Sequence, residues 1–559
     1  MSSSNKKKLR KEQEAALLTE KQLAEKKEAK KLKNMTVIFA VVMILVACIA
    51  IGTIAYTNIY KTGIFQKNSV AATINGHELS SVDLGYYYVD AISNNYSNWY
   101  NTYGDYTISM LQMMGLDLTA PLNAQIYDDT TGETWSDYFI SVAIENARGT
   151  YALYDAAVAE GYVLPEADRA SLDENTQIMI EYADLFAAGD VDAYIENIYG
   201  IGSDLESYKE YVDVVGTANS YQATYYNNLT YDDAAIREHE ADRYKNYNGY
   251  TFAYKFIDQN EFLGEGTKDE EGNVTYTDAE IAAAQEEAKK TAESLVSAAS
   301  VEKFDEMISA LEIYAPAEGE AATVSTKVTD ALLPTVLSAL QEWVSADERK
   351  EGDIGVLPYT TEASDEDGNV TSTLMGYIAV YFQSVDEHLE PLANVRHLLV
   401  QFEGGTTDEN GNKVYSVNEK ATAKVEAEEL LKTWKDGIAT EESFIELVKK
   451  HSDDSSAEDG GLFENISPAS RYVENFLNWS IDPDRETGDV DLIETEYGFH
   501  IMYYVGDSDI IYRDQLIRED MKANDYDAWI AEKEDGVTAE VGNTKYMYHD
   551  YIAYSGASY

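Results

Sequence analysis

The spacing of apolar residues changes character along the chain. Residues 35–56, "MTVIFAVVMILVACIAIGTIAY", carry no charge over 22 positions. At about 1.5 Å per residue such a helix spans a hydrocarbon core of roughly 30 Å, so the pattern predicts a transmembrane helix. A strand and turn follow in "SVAATINGHELS", and residues 69–245 then read as long helical stretches rich in Tyr, Ala and acids, as in "SDYFISVAIENARGTYALYDAAVAEG". After "NYNGYTFAYKFI" the period shortens to strands, acidic turns and single helices.

The second half repeats itself. "GTKDEEGNVTYTDAEIAAAQEEAKKTAESL" (266–295) matches "GTTDENGNKVYSVNEKATAKVEAEELLKTW" (405–434), and "EKFDEMI" then matches "ESFIELV" at nearly the same offset. "GDIGVLP…MGYIAVYF" likewise matches "GDVDLIE…YGFHIMYY". The pattern predicts two tandem copies of an α+β module, 249–388 and 392–507, followed by a tail, 508–559, that packs with the helical region. The acidic turns "DEEGN", "DEDGN" and "DENGN" lack the alternating acids and distal Glu of a calcium loop and read as hairpin turns.

Charge sharpens the division. The 559 residues have a formal net charge of -59. Residues 1–34 hold eleven Lys and Arg against five acids, a net of +6, so the remainder carries -65. Positive charge on the N-terminal side of the apolar run puts residues 1–34 in the cytoplasm and the bulk of the chain outside it. The one cysteine, Cys48, lies inside that run, which excludes disulfides. "LVAC" resembles a lipobox, yet residues 49–56 continue the apolar stretch, which favours an uncleaved anchor. An exterior this acidic argues against nucleic-acid binding.

Candidate chemistry narrows to histidine. Among His77, His239, His388, His397, His451, His500 and His549 there is no HExxH pair, and no P-loop, GxSxG or Rossmann glycine pattern occurs. No metal or other cofactor is expected. "NVRHLLVQF" sets His397 in the first strand of the second copy, and "ETEYGFHIMYYV" sets His500 in its last; the first copy has Tyr254 and Ile378 there. A lone strand histidine reads as a satisfied core residue. Two in one copy only, on strands that can be neighbours, can instead hydrogen-bond to each other and hold each other's tautomers.

These stretches, with "ESFIELVKKHSDDSSAEDGG" between them, resemble a parvulin-type peptidyl-prolyl cis/trans isomerase. With the anchor and helical region, the whole resembles the PrsA-like and SurA-like foldases. The resemblance implies a catalytic set of His397, Asp454, Thr495 and His500. It implies a proline pocket lined by Tyr472 and Phe476 of "RYVENF". The family's GGDLG is "GGLFE" here, so either Leu462 or Phe463 supplies the third wall. Asp454 also reads as a loop cap, and Tyr472 and Phe476 as plain helix-face core.

The expected function is a membrane-anchored extracytoplasmic isomerase and foldase acting on unfolded or partly folded exported proteins. In that scheme residues 69–245 bind clients and the first copy is degenerate. The alternative is a holdase chaperone with little or no isomerase activity, which the altered "GGLFE" loop favours and the histidine pair opposes. A carbohydrate-binding module is a third possibility, kept open by the many tyrosines. Oligomeric state is not legible.

Overall fold

The structure, a computed structural model, describes residues 3–13, 31, 43, 57–268, 274–314, 321–332, 338–364, 370–408 and 413–547. The expected membrane helix with Cys48, most of the basic tail and nearly all of the three acidic turns lie outside the described residues. Among those described, no helix is long and apolar enough to cross a membrane. The chain divides into two compact units, Met1–Leu229 with Asp525–Tyr559, and Thr230–Asn524.

The first unit is mainly helical. Strands β1 (Val70–Ile74) and β2 (His77–Ser80) turn at Asn75 and Gly76, both at positive φ, as the right-handed twist of a two-residue hairpin requires. Ser80 caps helix α1 (Ser81–Tyr103) reciprocally with Asp83, and Thr134 caps α2 (Trp135–Glu160) with Asp137. Leu84, Tyr88 and Ile92, four apart on α1, pack in one core with Phe139, Ala143 and Ala147, four apart on α2. Helices α3 (Glu166–Phe186), α4 (Val191–Tyr199) and α5 (Leu205–Asn228) complete the helical layer. A C-terminal strand, Ala539–Val541, pairs antiparallel with β1 in this unit, whereas residues 508–524 of the expected tail belong to the second unit.

The helical stretch expected over 69–245 ends earlier as a unit. Helix α6 (Asp233–Glu240) belongs to the second unit because Ile236 is buried against Tyr247 and Ile517.

The second unit holds two antiparallel four-stranded sheets. The first comprises β3 (Gly249–Asp258), β4 (Thr326–Leu332), β5 (Ile354–Ser364) and β6 (Val370–Asp386), in spatial order β4-β3-β6-β5. Helices α7 (Asp278–Ser294), α8 (Val301–Ser309) and α9 (Ser338–Val344) accompany it. The second comprises β7 (Pro391–Gln401), β8 (Leu462–Ile466), β9 (Val490–Glu494) and β10 (Gly498–Ile511), in order β8-β7-β10-β9. Its helices are α10 (Val417–Lys435), α11 (Glu441–His451) and α12 (Glu474–Ser480).

The two sheets agree down to single hydrogen bonds. Thr277 and Glu280 form a capping box on α7, as do Ser416 and Glu419 on α10. Ala284 and Ala288 are buried on the former, Ala423 and Ala427 on the latter. Arg349 stacks over Trp343 at 4.1 Å and donates Nε–H to its carbonyl, and Arg485 does the same over Trp479 at 4.5 Å. The carbonyl of Asp353 accepts the Phe382 N–H, and that of Asp489 accepts the Tyr504 N–H, each at 2.9 Å.

Gly376 and Gly498 occupy one rung of their respective sheets. A Cβ on either would sit 2.2 Å from a backbone oxygen, that of Ile257 or of Val400. We expect Gly376→Ala and Gly498→Ala each to destabilise their own sheet by about 2 to 4 kcal/mol, because the obstacle is backbone and the strands must part. Amide hydrogen exchange along β6 and β10 of the full chain checks this, with faster exchange confined to the altered sheet.

Candidate functional site

Side chains alternate across a strand, so cross-strand partners share a face. His397 on β7 stands opposite Met502 on β10, and Leu399 opposite His500. His397 and His500 are therefore diagonal neighbours on one face. The opposite face, with Leu398, Val400, Ile501 and Tyr503, packs on α10 and α11. The histidine face also carries Val395, Met502 and Tyr504, and α12 covers it through Phe476 and Trp479.

Both imidazoles are almost fully buried, His397 2% exposed and His500 5%. Their Nδ1 atoms lie 2.9 Å apart, a contact that needs one proton between two nitrogens. Thr495 Oγ1 lies 2.8 Å from His500 Nε2 and already accepts the Tyr497 N–H at 3.2 Å. The arrangement that uses every group has the Thr495 hydroxyl donate to His500 Nε2 and His500 Nδ1–H donate to His397 Nδ1. The remaining proton, on His397 Nε2, then faces Asp454 Oδ1 at 3.4 Å. Two imidazoles thus link a hydroxyl to a carboxylate.

Asp454 reaches this position because its loop is pinned to the stretch of β7 that runs beyond its pairing with β8. The Leu399 N–H donates to Ser452 Oγ at 3.1 Å and the Gln401 N–H to Asp453 Oδ2 at 2.9 Å. Asp454 is also the N-cap of the short 3-10 turn Ser455–Asp459, accepting the Ser456 N–H at 2.9 Å. Both sequence readings of this residue, loop cap and member of the polar set, therefore describe its geometry. Ser456, which the sequence reading did not single out, donates Oγ–H to Asp454 at 2.6 Å and lies 3.4 Å from His397 Nε2. Only its place two residues after Asp454, the reach of an Asx turn, could have flagged it.

Three aromatic rings stand over the polar chain. Phe463 and Phe476 meet the His397 ring edge-on at 5.0 and 5.3 Å. Tyr472 closes the group, 5.5 Å from Phe463 and 5.3 Å from Phe476. Phe476 is buried, whereas Tyr472 is 39% exposed and gives the group an open side. Leu462 does not join them. It pairs with Arg396 while Phe463 pairs with Val395, so the alternation of β8 turns Leu462 to the other face and leaves the third wall to Phe463. The two glycines before it are needed. Gly461 has φ +66, and a Cβ there would meet the His397 carbonyl oxygen at 2.1 Å.

Electrostatics follow from this burial. The His397 imidazole and the Ser456 donors beside Asp454 hold its carboxyl well below the usual carboxylate range. Burial, and next the neighbouring His397, push the His500 imidazole down to about 4. Because the folded state resists a proton that the unfolded chain accepts near its ordinary value of 6.5, His500 stabilises the fold fully above about 6.5. That contribution is lost progressively as pH falls towards 4. Over this interval it amounts to on the order of 3 kcal/mol. We expect His500→Gln, which cannot titrate, to remove about one proton from the pH dependence of β10 opening between pH 6.5 and 4. Hydrogen exchange at a series of pH values, corrected for intrinsic rates, measures this.

Comparison with known proteins gives one family match: residues 383–506 fit the model of the PPIC-type PPIASE domain. No curated protein matches the chain. Similar solved structures include the PPIase domain of TbPar42, at 22% identity over 20% of this chain and 99% of that one, TM-score 0.16. PrsA from Bacillus cereus is 20% identical over 26% of this chain and 49% of its own, TM-score 0.17. PrsA from Bacillus subtilis is 14% identical over 75% of this chain and 91% of its own, TM-score 0.22. The segment built around His397 and His500 is thus a peptidyl-prolyl cis–trans isomerase domain of the PPIC, or parvulin, type.

Proposed function

We propose that the chain is a membrane-anchored extracytoplasmic foldase that isomerises Xaa-Pro bonds in exported proteins. The observation that carries this reading is the buried chain Thr495–His500–His397–Asp454 lying beneath Phe463, Tyr472 and Phe476. Anchoring rests on the uncharged run 35–56 and the basic residues before it, which orient the chain with its acidic bulk outside.

Rotation about a prolyl amide crosses a barrier of about 18 to 20 kcal/mol set by resonance, and no bond breaks. Bringing tens of seconds down to milliseconds takes about 5 to 6 kcal/mol off it. The twisted amide has lost conjugation and much of its charge separation, so an apolar enclosure favours it over the planar forms. Phe476, Phe463 and Tyr472 supply that enclosure around the pyrrolidine ring. The histidines act from below. Held in fixed orientations by their mutual hydrogen bond and by Thr495, they set the polarity of the pocket floor. Asp454 contributes electrostatically at the rim and is not a nucleophile.

The first sheet reads as a degenerate copy of the same module. Tyr254 stands opposite Val380 and Ile378 opposite Phe256, the offset of His397 and His500, and Tyr359 packs on Phe256 at 4.7 Å where a Thr495 counterpart would be. Such a floor has no hydrogen-bonded chain. The first unit is proposed to hold clients, in cavities of about 540 and 480 Å³ that share Tyr87 and Tyr211 and mix polar residues with aliphatic ones such as Leu153, Val215 and Ile530 in the first and Leu79 and Val214 in the second.

In the full chain, Phe476→Ala should lower turnover of a short Xaa-Pro peptide at least tenfold, about 1.4 kcal/mol, while Tyr254→Ala changes it less than twofold. Exchange NMR on the peptide reads both, and equal losses would refute the assignment of activity to the second sheet. A second expectation concerns phosphate. The loop after β7, "QFEGGTTDENGNK", offers three acids and one lysine, Lys413, so a phosphorylated Ser-Pro peptide meets like charge. Turnover of the phosphopeptide should equal or fall below that of its unmodified twin at moderate salt, and a clear preference for phosphate would overturn this reading.

A further inference from the structure

The strap that joins the two sheets carries a second cluster of polar groups, just ahead of the strand that bears His397. Strand β6 ends at Asp386 and β7 begins at Pro391. Between them Asp386, His388 and Glu390 alternate, and one ligand atom from each lies within 4.8 Å of the other two. His388 is 5% exposed, and its buried Nδ1 has no hydrogen-bond partner. That nitrogen is not in open space. Asp386 Oδ2 and Glu390 Oε1 each lie 3.6 Å from it.

The distance is informative. At 3.6 Å a nitrogen and an oxygen are too far apart to share a hydrogen bond of normal length. Two ligands of one tetrahedral zinc ion, with bonds of about 2.0 to 2.2 Å, stand about 3.4 Å apart. Leaving a buried imidazole nitrogen unsatisfied is costly, and an ion between the three atoms would satisfy it.

The surroundings hold the donors in place. The His388 N–H donates to Asp386 Oδ1 at 2.8 Å, leaving Oδ2 to face the imidazole. His388 sits at φ +52, a left-handed conformation that a non-glycine residue keeps only when its surroundings hold it there. The backbone on either side is clamped to the helix Tyr512–Glu534. The Tyr512 N–H donates to the Glu390 carbonyl at 2.9 Å and the Arg513 N–H to the His388 carbonyl at 2.8 Å. The Tyr512 ring packs edge-on against the imidazole at 4.8 Å. Gly249 makes room on another side, where a Cβ would sit 2.8 Å from His388 Nε2.

We propose that Asp386, His388 and Glu390 form a binding site for a divalent transition ion of the zinc class. One imidazole nitrogen with two carboxylate oxygens suits zinc better than the all-oxygen shells of calcium or magnesium. Three protein donors leave one position for water, so the ion is exchangeable. Its place on the strap makes it a structural tie between the two sheets, separate from the isomerase pocket.

The test uses the full chain in detergent, stripped with a chelator and titrated with zinc chloride by calorimetry, with calcium and magnesium chloride as controls. The expected result is one saturable zinc site per chain, weakened at least tenfold in Asp386→Asn and in Glu390→Gln and at least a hundredfold in His388→Ala. Zinc should also raise the unfolding midpoint of the wild type and not of Asp386→Asn, whose exposed side chain leaves the fold intact. Peptide turnover should change less than twofold in all three variants. Absence of saturable zinc binding, the result for an imidazolium merely ion-paired to two carboxylates, would overturn the proposal. So would binding equally tight in Asp386→Asn and Glu390→Gln, which would put the ion on another histidine.

Discussion

The register of β7 against β10 is the constraint on which the site depends. A slip of one residue in either strand would carry its histidine to the opposite face, among the apolar residues that pack on α10 and α11. The Nδ1 contact would be lost and two imidazoles would be buried apart. Close approaches hold the register at both ends of the pocket. Gly498 passes beneath the Val400 carbonyl, and Gly461 passes beneath the His397 carbonyl and accepts the His397 N–H at 2.9 Å. The same backbone contacts that fix the strands therefore fix the pocket floor.

Comparison of the two sheets separates what the fold needs from what the pocket needs. The arginine-on-tryptophan stack, the capped first helix and the glycine rung occur in both. The polar chain occurs in one. Replacing His397, His500 and Thr495 by Tyr254, Ile378 and Tyr359 leaves a core without imidazoles to satisfy. A buried polar chain is tolerable only when complete, because each member lost strands the next. The polar floor is thus an added requirement that the scaffold does not make.

Much of this was legible in the sequence, and the remainder was hidden for identifiable reasons. His397 and His500 announced themselves because a histidine interrupts an apolar strand pattern, and the matching stretches "FAYKFI" and "GYIAV" hold Tyr254 and Ile378 instead. The choice between Leu462 and Phe463 was not legible, since it turns on the register of a five-residue strand. Ser456 was marked only by its Asx-turn spacing from Asp454, because its approach to His397 depends on a loop folding back onto β7. Arg513 was missed as well. It is 1% exposed and donates to Asn248 Oδ1 at 2.7 Å and to the carbonyl of Glu387 at 3.1 Å, besides its ion pair with Glu240. No local pattern marks an arginine whose partners lie more than 100 positions away.

The pairing of Ala539–Val541 with β1 sets an order of events for the chain as it is made. Ala72 lies opposite Val541, so the sheet of the first unit cannot be completed until residues beyond the whole second unit are available. Everything in Thr230–Asn524 is synthesised in between, and both of its sheets close on strands within that stretch. Closing so long a loop costs conformational entropy that an already folded insert largely removes. The unit with the isomerase domain is therefore positioned to fold first, and the first unit matures after it, when its edge strand arrives.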